Sequence, residues 1–277
     1  MRVDVVIVNW NGGHELVTAV ESVLRFGGRP IVVDNASTDD TALREVARAT
    51  GATIVRNARN TGFAAGCNSG AAAGTGDVVM LLNPDAEIVV GTAADLEVAF
   101  AETRAMVIGP RLENQGTPSI RPAPRVADLV IDLLRLASLR HRLRWRSTPP
   151  ATMRVAPQGE DWLVGAALAI RRTDWERLGG LDPGFFLWYE DVDLGARVAL
   201  AGGTIALTEK VRVRHLGAST WIRLPRRRRQ WLRIRGAWRY ARRHLGWPAA
   251  ASIAAAAPPA LALGVALDIA HWLRRRP

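Results

Sequence analysis

A chain of 277 residues that is 48% hydrophobic and 23% charged has the composition of a globular protein, long enough for one large domain or one domain with a tail. Its single cysteine, Cys67, excludes an internal disulfide framework and fits a reducing compartment or a cytoplasm-facing surface. An excess of Lys+Arg over Asp+Glu, 37 against 26, leaves a net charge of +11. That charge calls for an anionic partner and does not choose among nucleic acid, an anionic membrane and phosphorylated substrates.

Met1-Arg2 runs directly into a β-branched apolar stretch over residues 3–8, so no signal peptide is expected. The stretch ends in Asn9-Trp10-Asn11-Gly12-Gly13. Helical spacing follows through Leu16, Val20, Val23 and Leu24, and a second strand is predicted over 30–33. Strand, helix and strand at this spacing indicate a parallel βαβ unit. The rhythm continues with a helix near 41–50, a strand over 53–56, a helix near 62–73 and a strand over 77–82. The alternation predicts an α/β fold with an open, mostly parallel sheet flanked by helices, binding ligands beyond the carboxyl ends of its strands. The polar clusters fall at those ends, at 9–12, 34–38, 60–62 and 83–85.

A proline-punctuated stretch over 118–124 precedes a predicted helix with apolar positions Val126, Leu129, Val130, Leu133, Leu134 and Ala137. Arg125, Arg135, Arg140, Arg142 and Arg144 surround it. The pattern suits a membrane-surface or partner-binding helix and equally a core-facing helix with a solvated face. Beyond Leu216 the composition shifts: Arg226-Arg227-Arg228-Arg229 opens a tract interleaved with Trp221, Trp231, Trp238, Tyr240 and Trp247. Residues 249–270 are then apolar, apart from Pro258-Pro259 and Asp268. Their length is near the ~20 residues of a membrane span. The proline pair and the alanine content favour a membrane-lying or re-entrant hairpin instead. The expected division is a domain over 1–222, with halves 1–110 and 111–222, and a membrane-associating tail over 223–277.

The densest chemistry lies in Gly179-Gly180-Leu181-Asp182-Pro183-Gly184-Phe185-Phe186-Leu187-Trp188-Tyr189-Glu190-Asp191-Val192-Asp193-Leu194. A glycine turn leads through aromatics to three carboxylates within four positions. Like charges held so close serve to bind a cation, to move a proton, or merely to sit solvated, and the aromatic approach argues against the last. An acidic first turn favoured by the helix dipole is the purely structural alternative. Asp34-Asn35-Ala36-Ser37-Thr38-Asp39 reads either as a ribose or base contact at a strand end or as a helix cap.

These segments together resemble the inverting family 2 glycosyltransferases, whose acceptor site carries G-G-x-D, F-F and E-D-x-D in this order. Val33-Asp34-Asn35-Ala36-Ser37-Thr38-Asp39 matches the family's V-D-N-x-S-x-D, Asn60-Thr61-Gly62-Phe63-Ala64 its N-x-G-F segment, and Trp162-Leu163-Val164-Gly165 with Ile170-Arg171-Arg172 its acceptor-floor segment. The resemblance covers about residues 1–222 and implies a GT-A-type fold. It implies nucleotide-sugar binding by Asn9, Asn11, Asp34, Asn35, Ser37, Asn60, Gly62, Asn83 and Asp85. It implies acceptor binding by Trp162, Gly165, Trp188, Tyr189 and Asp193, and a general base at Asp191, with Glu190 as second choice. Asn83-Pro84-Asp85 stands where the family's metal-binding D-x-D lies. With Asn83 replacing the first Asp, a divalent cation (Mg²⁺ or Mn²⁺) is expected on Asp85 and His215.

The pattern is most similar to bacterial rhamnosyltransferases of cell-envelope polysaccharide synthesis. That similarity implies a dTDP-L-rhamnose donor, a polyprenyl-diphosphate-linked acceptor, and a place on an anionic membrane surface at the cytoplasmic face. UDP-hexose or UDP-GlcNAc transfer and non-catalytic nucleotide-sugar binding are the alternatives within the fold. A nucleic-acid partner is not expected, because it leaves the acidic cluster and the N-P-D loop without a role. A dinucleotide-dependent oxidoreductase lacks its G-x-G-x-x-G after the first strand.

Overall fold

The computed structural model describes residues 1–49, 51–113, 119–134, 136, 161–217 and 224–273. Arg135, Ala137, Arg140, Arg142, Arg144 and Trp221 lie outside these residues, as does the boundary expected near 222. The first half builds as the periodicity predicts. Strand β1 (Val3–Asn9) is buried along its whole length, as a central strand covered on both faces must be. It pairs in parallel with β2 (Arg29–Asp34) on one side and β4 (Val78–Leu82) on the other, and β3 (Thr53–Arg56) extends the parallel run beyond β2. Helices α1 (Glu15–Phe26), α2 (Thr41–Ala49) and α3 (Phe63–Ala73) make the crossovers.

The second half turns the sheet mixed. Strands β5 (Ala86–Val90), β6 (Val107–Glu113), β9 (Ala167–Arg171) and β10 (Ile205–His215) complete an eight-stranded order β3-β2-β1-β4-β9-β6-β10-β5. Here β9 runs antiparallel to both β4 and β6, and β5 antiparallel to β10. Beyond the first four strands the sheet is mixed: β6 and β10 pair in parallel, while β9 and β5 run antiparallel to their neighbours. A two-stranded sheet of β7 (Ile120–Pro122) and β8 (Asp161–Leu163) lies apart. Helices α4 (Ala93–Thr103), α5 (Val126–Leu133), α6 (Arg172–Leu178) and α7 (Glu190–Leu200) fill the remaining connections.

The C-terminal segment is α8 (Arg226–Tyr240), a π-helical turn (Ala241–Leu245) and α9 (Trp247–Leu273). Leu129 and Leu133 of α5, Ile234, Ala237 and Tyr240 of α8, and Ala249, Ile253 and Ala260 of α9 form one buried cluster with Phe185 and Val192. So the apolar stripe of α5 faces the core, which selects between the two readings of that helix. The hairpin expected over 249–270 is not formed. Instead α9 continues through Pro258-Pro259, with Ile253 and Ala260 buried on either side of the pair and packed against α8 and α5. Its Trp247–Val265 portion is long and apolar enough to cross a bilayer.

One buried ionic hub ties the sheet to the crossovers. Asp4 on β1 is fully buried and accepts from Arg29 Nε at 2.8 Å, from Arg172 Nη2 at 2.8 Å and from the Gly76 amide. Removing one partner of such a pair strands the other charge in a poor dielectric. Asp4→Ala is expected to lower unfolding free energy by about 3 kcal/mol in a urea titration; a loss below about 1 kcal/mol, typical of surface pairs, would show the hub to be solvated.

Candidate active site

The polar clusters at the strand ends assemble as expected. Asn35, Asn60, Gly62, Asn83, Asp85 and His215 line one cavity, together with Val8, Trp10, Phe63, Phe186, Leu187 and Leu224. Asn35 is buried and bonded at both atoms of its side-chain amide: its Nδ2 donates to the Gly62 carbonyl at 2.9 Å, while its Oδ1 accepts from Asn57 at 2.7 Å and Thr61 at 3.1 Å. Asn60 caps its own turn by accepting from the Gly62 amide at 3.0 Å.

Beside this cavity stands a second network. Asn9 Nδ2 donates to Asp34 Oδ1 and Ser37 Oγ, both at 3.3 Å, and Ser37 Oγ donates to Asp34 Oδ1 at 2.5 Å. Asn11, at φ 51°, accepts from the Thr38 amide at 2.7 Å and the Asp39 amide at 3.1 Å. These residues fix one another's rotamers, so the loops after β1 and β2 form one rigid wall.

At the far side of the cavity, Asn83 and Asp85 sit on the turn between β4 and β5, and His215 closes β10 next to them. His215 Nε2 is 3.3 Å from Asp85 Oδ1 and 3.1 Å from Asn83 Nδ2. The three side chains brought together over 132 residues of chain are those the N-P-D reading needed. One carboxylate and one imidazole make an incomplete shell for a hard cation, and among the described residues no cluster of three His, Cys, Asp or Glu supplies more. The set fits Mg²⁺ or Mn²⁺ completed by water and phosphate oxygens, the usual arrangement for Mg²⁺ at nucleotide sites.

A second cavity takes one of the three clustered carboxylates, Asp191. It is lined by Trp162, Trp188, Tyr189 and Asp191 from the predicted set, and by Arg121, Asp128, Asp132 and Arg233, which the sequence reading did not single out. The 186–189 segment is the wall between the cavities, with Phe186 and Leu187 on the first and Trp188 and Tyr189 on the second. Its position is set by α3: Phe63 N donates to the Phe186 carbonyl at 2.7 Å, and Asn68 bonds both the amide and the carbonyl of Leu181 at 2.9 and 2.7 Å.

Trp188 and Tyr189 both adopt left-handed backbone, at φ 68° and 72°. For bulky side chains this costs on the order of 1–3 kcal/mol each and persists only where the surroundings enforce it. The turn starts α7 so that the two adjacent carboxyl groups part company. Asp191 reaches the cavity, its Oδ2 accepting from the Gly165 amide and its Oδ1 from the Val192 amide, both at 2.9 Å. Gly165 permits that approach, since a Cβ there would lie 3.2 Å from Asp191 Oδ2. Burial pushes the Asp191 carboxyl above the usual range, while the two amides and Arg121 pull it back. Glu190 is buried below, near Cys67, with Oε2 lacking a hydrogen-bond partner; burial and the adjacent Asp191 charge push it well above its ordinary value. Geometry thus favours Asp191 over Glu190 as the group that meets a ligand.

Asp193 corrects an expectation. It is fully buried, and its carboxylate is held by Arg197 at 2.7 Å, His244 at 2.8 Å and Arg243 at 3.4 Å, so it anchors α7 to the C-terminal segment and does not face an acceptor. Burial would raise its pKa, but the hydrogen bond with His244 and the charges of Arg197 and Arg243 outweigh that and lower it.

Trp162 lies at the cavity rim, its Nε1 donating to the Pro122 carbonyl at 3.1 Å and its ring beneath the Arg121 guanidinium at 5.5 Å. Arg233 of α8 stacks over Trp188 at 4.9 Å. The sequence signal for Arg233 was present only as one arginine among many; which one turns inward depends on how α8 packs.

The sequence pattern of "Glycosyl transferase family 2" matches residues 4–173, and that of the "N-terminal domain of galactosyltransferase" matches 157–218. The chain is 30% identical over 241 residues to an N-acetylglucosaminyl-diphospho-decaprenol L-rhamnosyltransferase of Mycobacterium tuberculosis, spanning 80% of this chain and 78% of the relative. It is 43% identical to the rhamnosyltransferase WbbL of Escherichia coli over 42 residues, 15% of this chain and 16% of that one. Among solved structures, GalNAc-T7 with UDP, GalNAc and Mn²⁺ superposes with a TM-score of 0.61 at 23% identity, over 78% of this chain and 44% of that one. The mannosyltransferase PcManGT of Pyrobaculum calidifontis, in complex with GDP-Man and Mn²⁺, gives 0.55 at 19% identity, over 97% and 75%. With these matches over a GT-A-like α/β sheet, the chain belongs to glycosyl transferase family 2.

Proposed function

We propose that the protein is an inverting, metal-dependent glycosyltransferase that moves L-rhamnose from dTDP-L-rhamnose to a polyprenyl-diphosphate-linked glycan at the cytoplasmic face of the membrane. The observation that carries the proposal is the placement of Asp191 in a cavity separated from the donor cavity only by the 186–189 wall. The sugar assignment is supported by the M. tuberculosis relative, whose name gives both an L-rhamnosyl product and a lipid-diphosphate acceptor.

In this reading Asn9, Asn11, Asp34, Asn35 and Ser37 hold the nucleotide end of the donor, and Asn60 and Gly62 border the diphosphate. Asp85 and His215, with Asn83 beside them, would hold the cation, which would offset the charge growing on the departing diphosphate. The acceptor sugar stacks among Trp162, Trp188 and Tyr189. Asp191 takes the proton from its hydroxyl as that oxygen attacks the anomeric carbon. The new C–O bond forms on the face opposite the leaving group, the bond to the diphosphate oxygen breaks, and the configuration inverts.

Membrane seating draws on α8. Trp231, Trp238 and Trp247 are exposed, Arg227, Arg235 and Arg242 share the outer surface with them, and Arg242 stacks on Trp247 at 4.1 Å. Arginines near an anionic leaflet contribute about 1 kcal/mol each, and Trp settles at the interface.

Nucleoside diphosphate release is the direct test, with dTDP-rhamnose, UDP-glucose, UDP-galactose and UDP-GlcNAc offered with and without lipid-linked acceptor. Asp191→Asn is expected to lower kcat by about 10²–10⁴-fold, and Asp85→Ala or EDTA to abolish acceptor-stimulated release. Parental rates in folded Asp191→Asn would remove it as the base. Because burial raises its carboxyl, the acid limb of the rate profile is expected above the ordinary Asp range.

Glu190 gives a separate stability prediction. Its folded pKa is raised, so the folded state binds its proton more tightly, and stability is lost as pH rises from the unfolded pKa through the folded one. Glu190→Gln is expected to raise Tm at pH 8 and to leave it near the parent value at pH 4; a pH-independent difference would contradict the burial of this charge.

Co-sedimentation with phosphatidylglycerol vesicles is expected to bind the protein in a salt-sensitive manner, and phosphatidylcholine vesicles to bind it poorly. Equal binding to both, unchanged by Arg235→Glu, would deny α8 this role.

A further inference from the structure

The geometry points to α8 as a positioning element of the active site: Gly236 and Arg239 hold the left-handed Trp188–Tyr189 turn that presents Asp191. This inference rests on the assignment of Asp191 as the base. Both family matches end by residue 218, so neither assigns anything to this helix. Two consecutive bulky residues in left-handed backbone relax unless something holds them. Besides Arg233 over Trp188, three residues of α8 contact the segment that carries this turn.

Gly236 packs directly against it. A Cβ at Gly236 would lie 2.8 Å from the Tyr189 ring and 3.0 Å from the Trp188 carbonyl oxygen, so the helix approaches this closely only with glycine there. Arg239 reaches the start of the same segment, with Nε and Nη2 donating to Asp182 Oδ2 at 3.0 and 2.9 Å and Nη2 also to Oδ1 at 2.9 Å. Tyr240 lies against Tyr189, with ring centroids 6.3 Å apart. Asp182 and Tyr189 bracket the aromatic run, so α8 grips it at both ends, and the Asp191 carboxylate follows two residues later.

The experiment compares Gly236→Ala, Arg239→Gln and Arg239→Lys with the parent, using dTDP-L-rhamnose and a lipid-diphosphate-linked GlcNAc acceptor. Displacing a reacting group by about 1 Å can cost about 10²-fold in rate. Gly236→Ala is therefore expected to lose kcat on that scale while dTDP binding, read by titration calorimetry, stays within about twofold. Loosened amide bonds to the Asp191 carboxylate favour its protonated form, so the acid limb of kcat moves to higher pH. Arg239→Gln is expected to lose kcat and Arg239→Lys to recover part of it.

Hydrogen exchange gives a readout that needs no turnover. Amides of residues 189–193 are expected to exchange about tenfold faster in Arg239→Gln while those of β4 are unchanged. Parental kcat, pH profile and exchange in folded Gly236→Ala or Arg239→Gln overturn the positioning role. If Gly236→Ala does not fold, the Arg239 pair decides alone. Parental transfer in Asp191→Asn instead overturns the base assignment, leaving the exchange result to judge the grip of α8 on the turn.

Discussion

Two adjacent carboxyl groups cannot both reach an active site without raising each other's pKa, and the backbone separates them before their charges meet a ligand. The left-handed pair at Trp188 and Tyr189 is the device. It starts α7 at an angle that drops Glu190 into the core beside Cys67 and leaves Asp191 at the cavity, held by the amides of Gly165 and Val192. Each amide bond favours the ionised form of Asp191 and works against the burial that raises its pKa, whereas burial and the neighbouring charge push Glu190 well above its ordinary value. Division of labour between neighbours in one motif is thereby a matter of backbone conformation.

That conformation links parts of the chain far apart in sequence. The Phe186 carbonyl is bonded by the first residue of α3, so the wall dividing the two cavities is fixed to the donor-side half. Asn68 secures Leu181 from the same helix. From the other side, α8 secures Asp182 and Tyr189. A residue in the donor half and one in the C-terminal segment therefore act on the same short loop. The left-handed turn is thus held from two sides, by α3 and by α8.

The polar loops at the strand ends were legible because they are local. Parallel βαβ units place their polar loops at one edge of the sheet, and Asn9, Asp34, Asn60 and Asp85 each follow a strand whose apolar run is plain in the sequence. His215 was legible only by its place in a motif, since 132 residues separate it from Asn83. What could not be read was the fate of charges with many equivalent neighbours. Asp193 sits in the same acidic run as Asp191, three positions from Glu190. One lies on the cavity and the other on the opposite side of the helix, because a two-residue step rotates a side chain by about 200° around an α-helix. Its partners, Arg243 and His244, come from some 50 residues away and have no spacing that marks them.

The C-terminal segment shows why composition misleads about domain roles. Arginines, tryptophans and an alanine-rich stretch read as a surface tail, and half of that reading concerns the outer face only. An amphipathic helix shows its exposed residues in the bulk composition, whereas its inward residues are few and ordinary: Gln230, Leu232, Ile234, Gly236, Ala237 and Tyr240. Here those few close a core with α5 and α9 and bear on the strained turn. One helix therefore shows arginines and tryptophans to solvent while its inner side packs on the strained turn, where a Cβ at Gly236 would come within 2.8 Å of the Tyr189 ring. Close packing of this kind couples the placement of the helix to that of the turn.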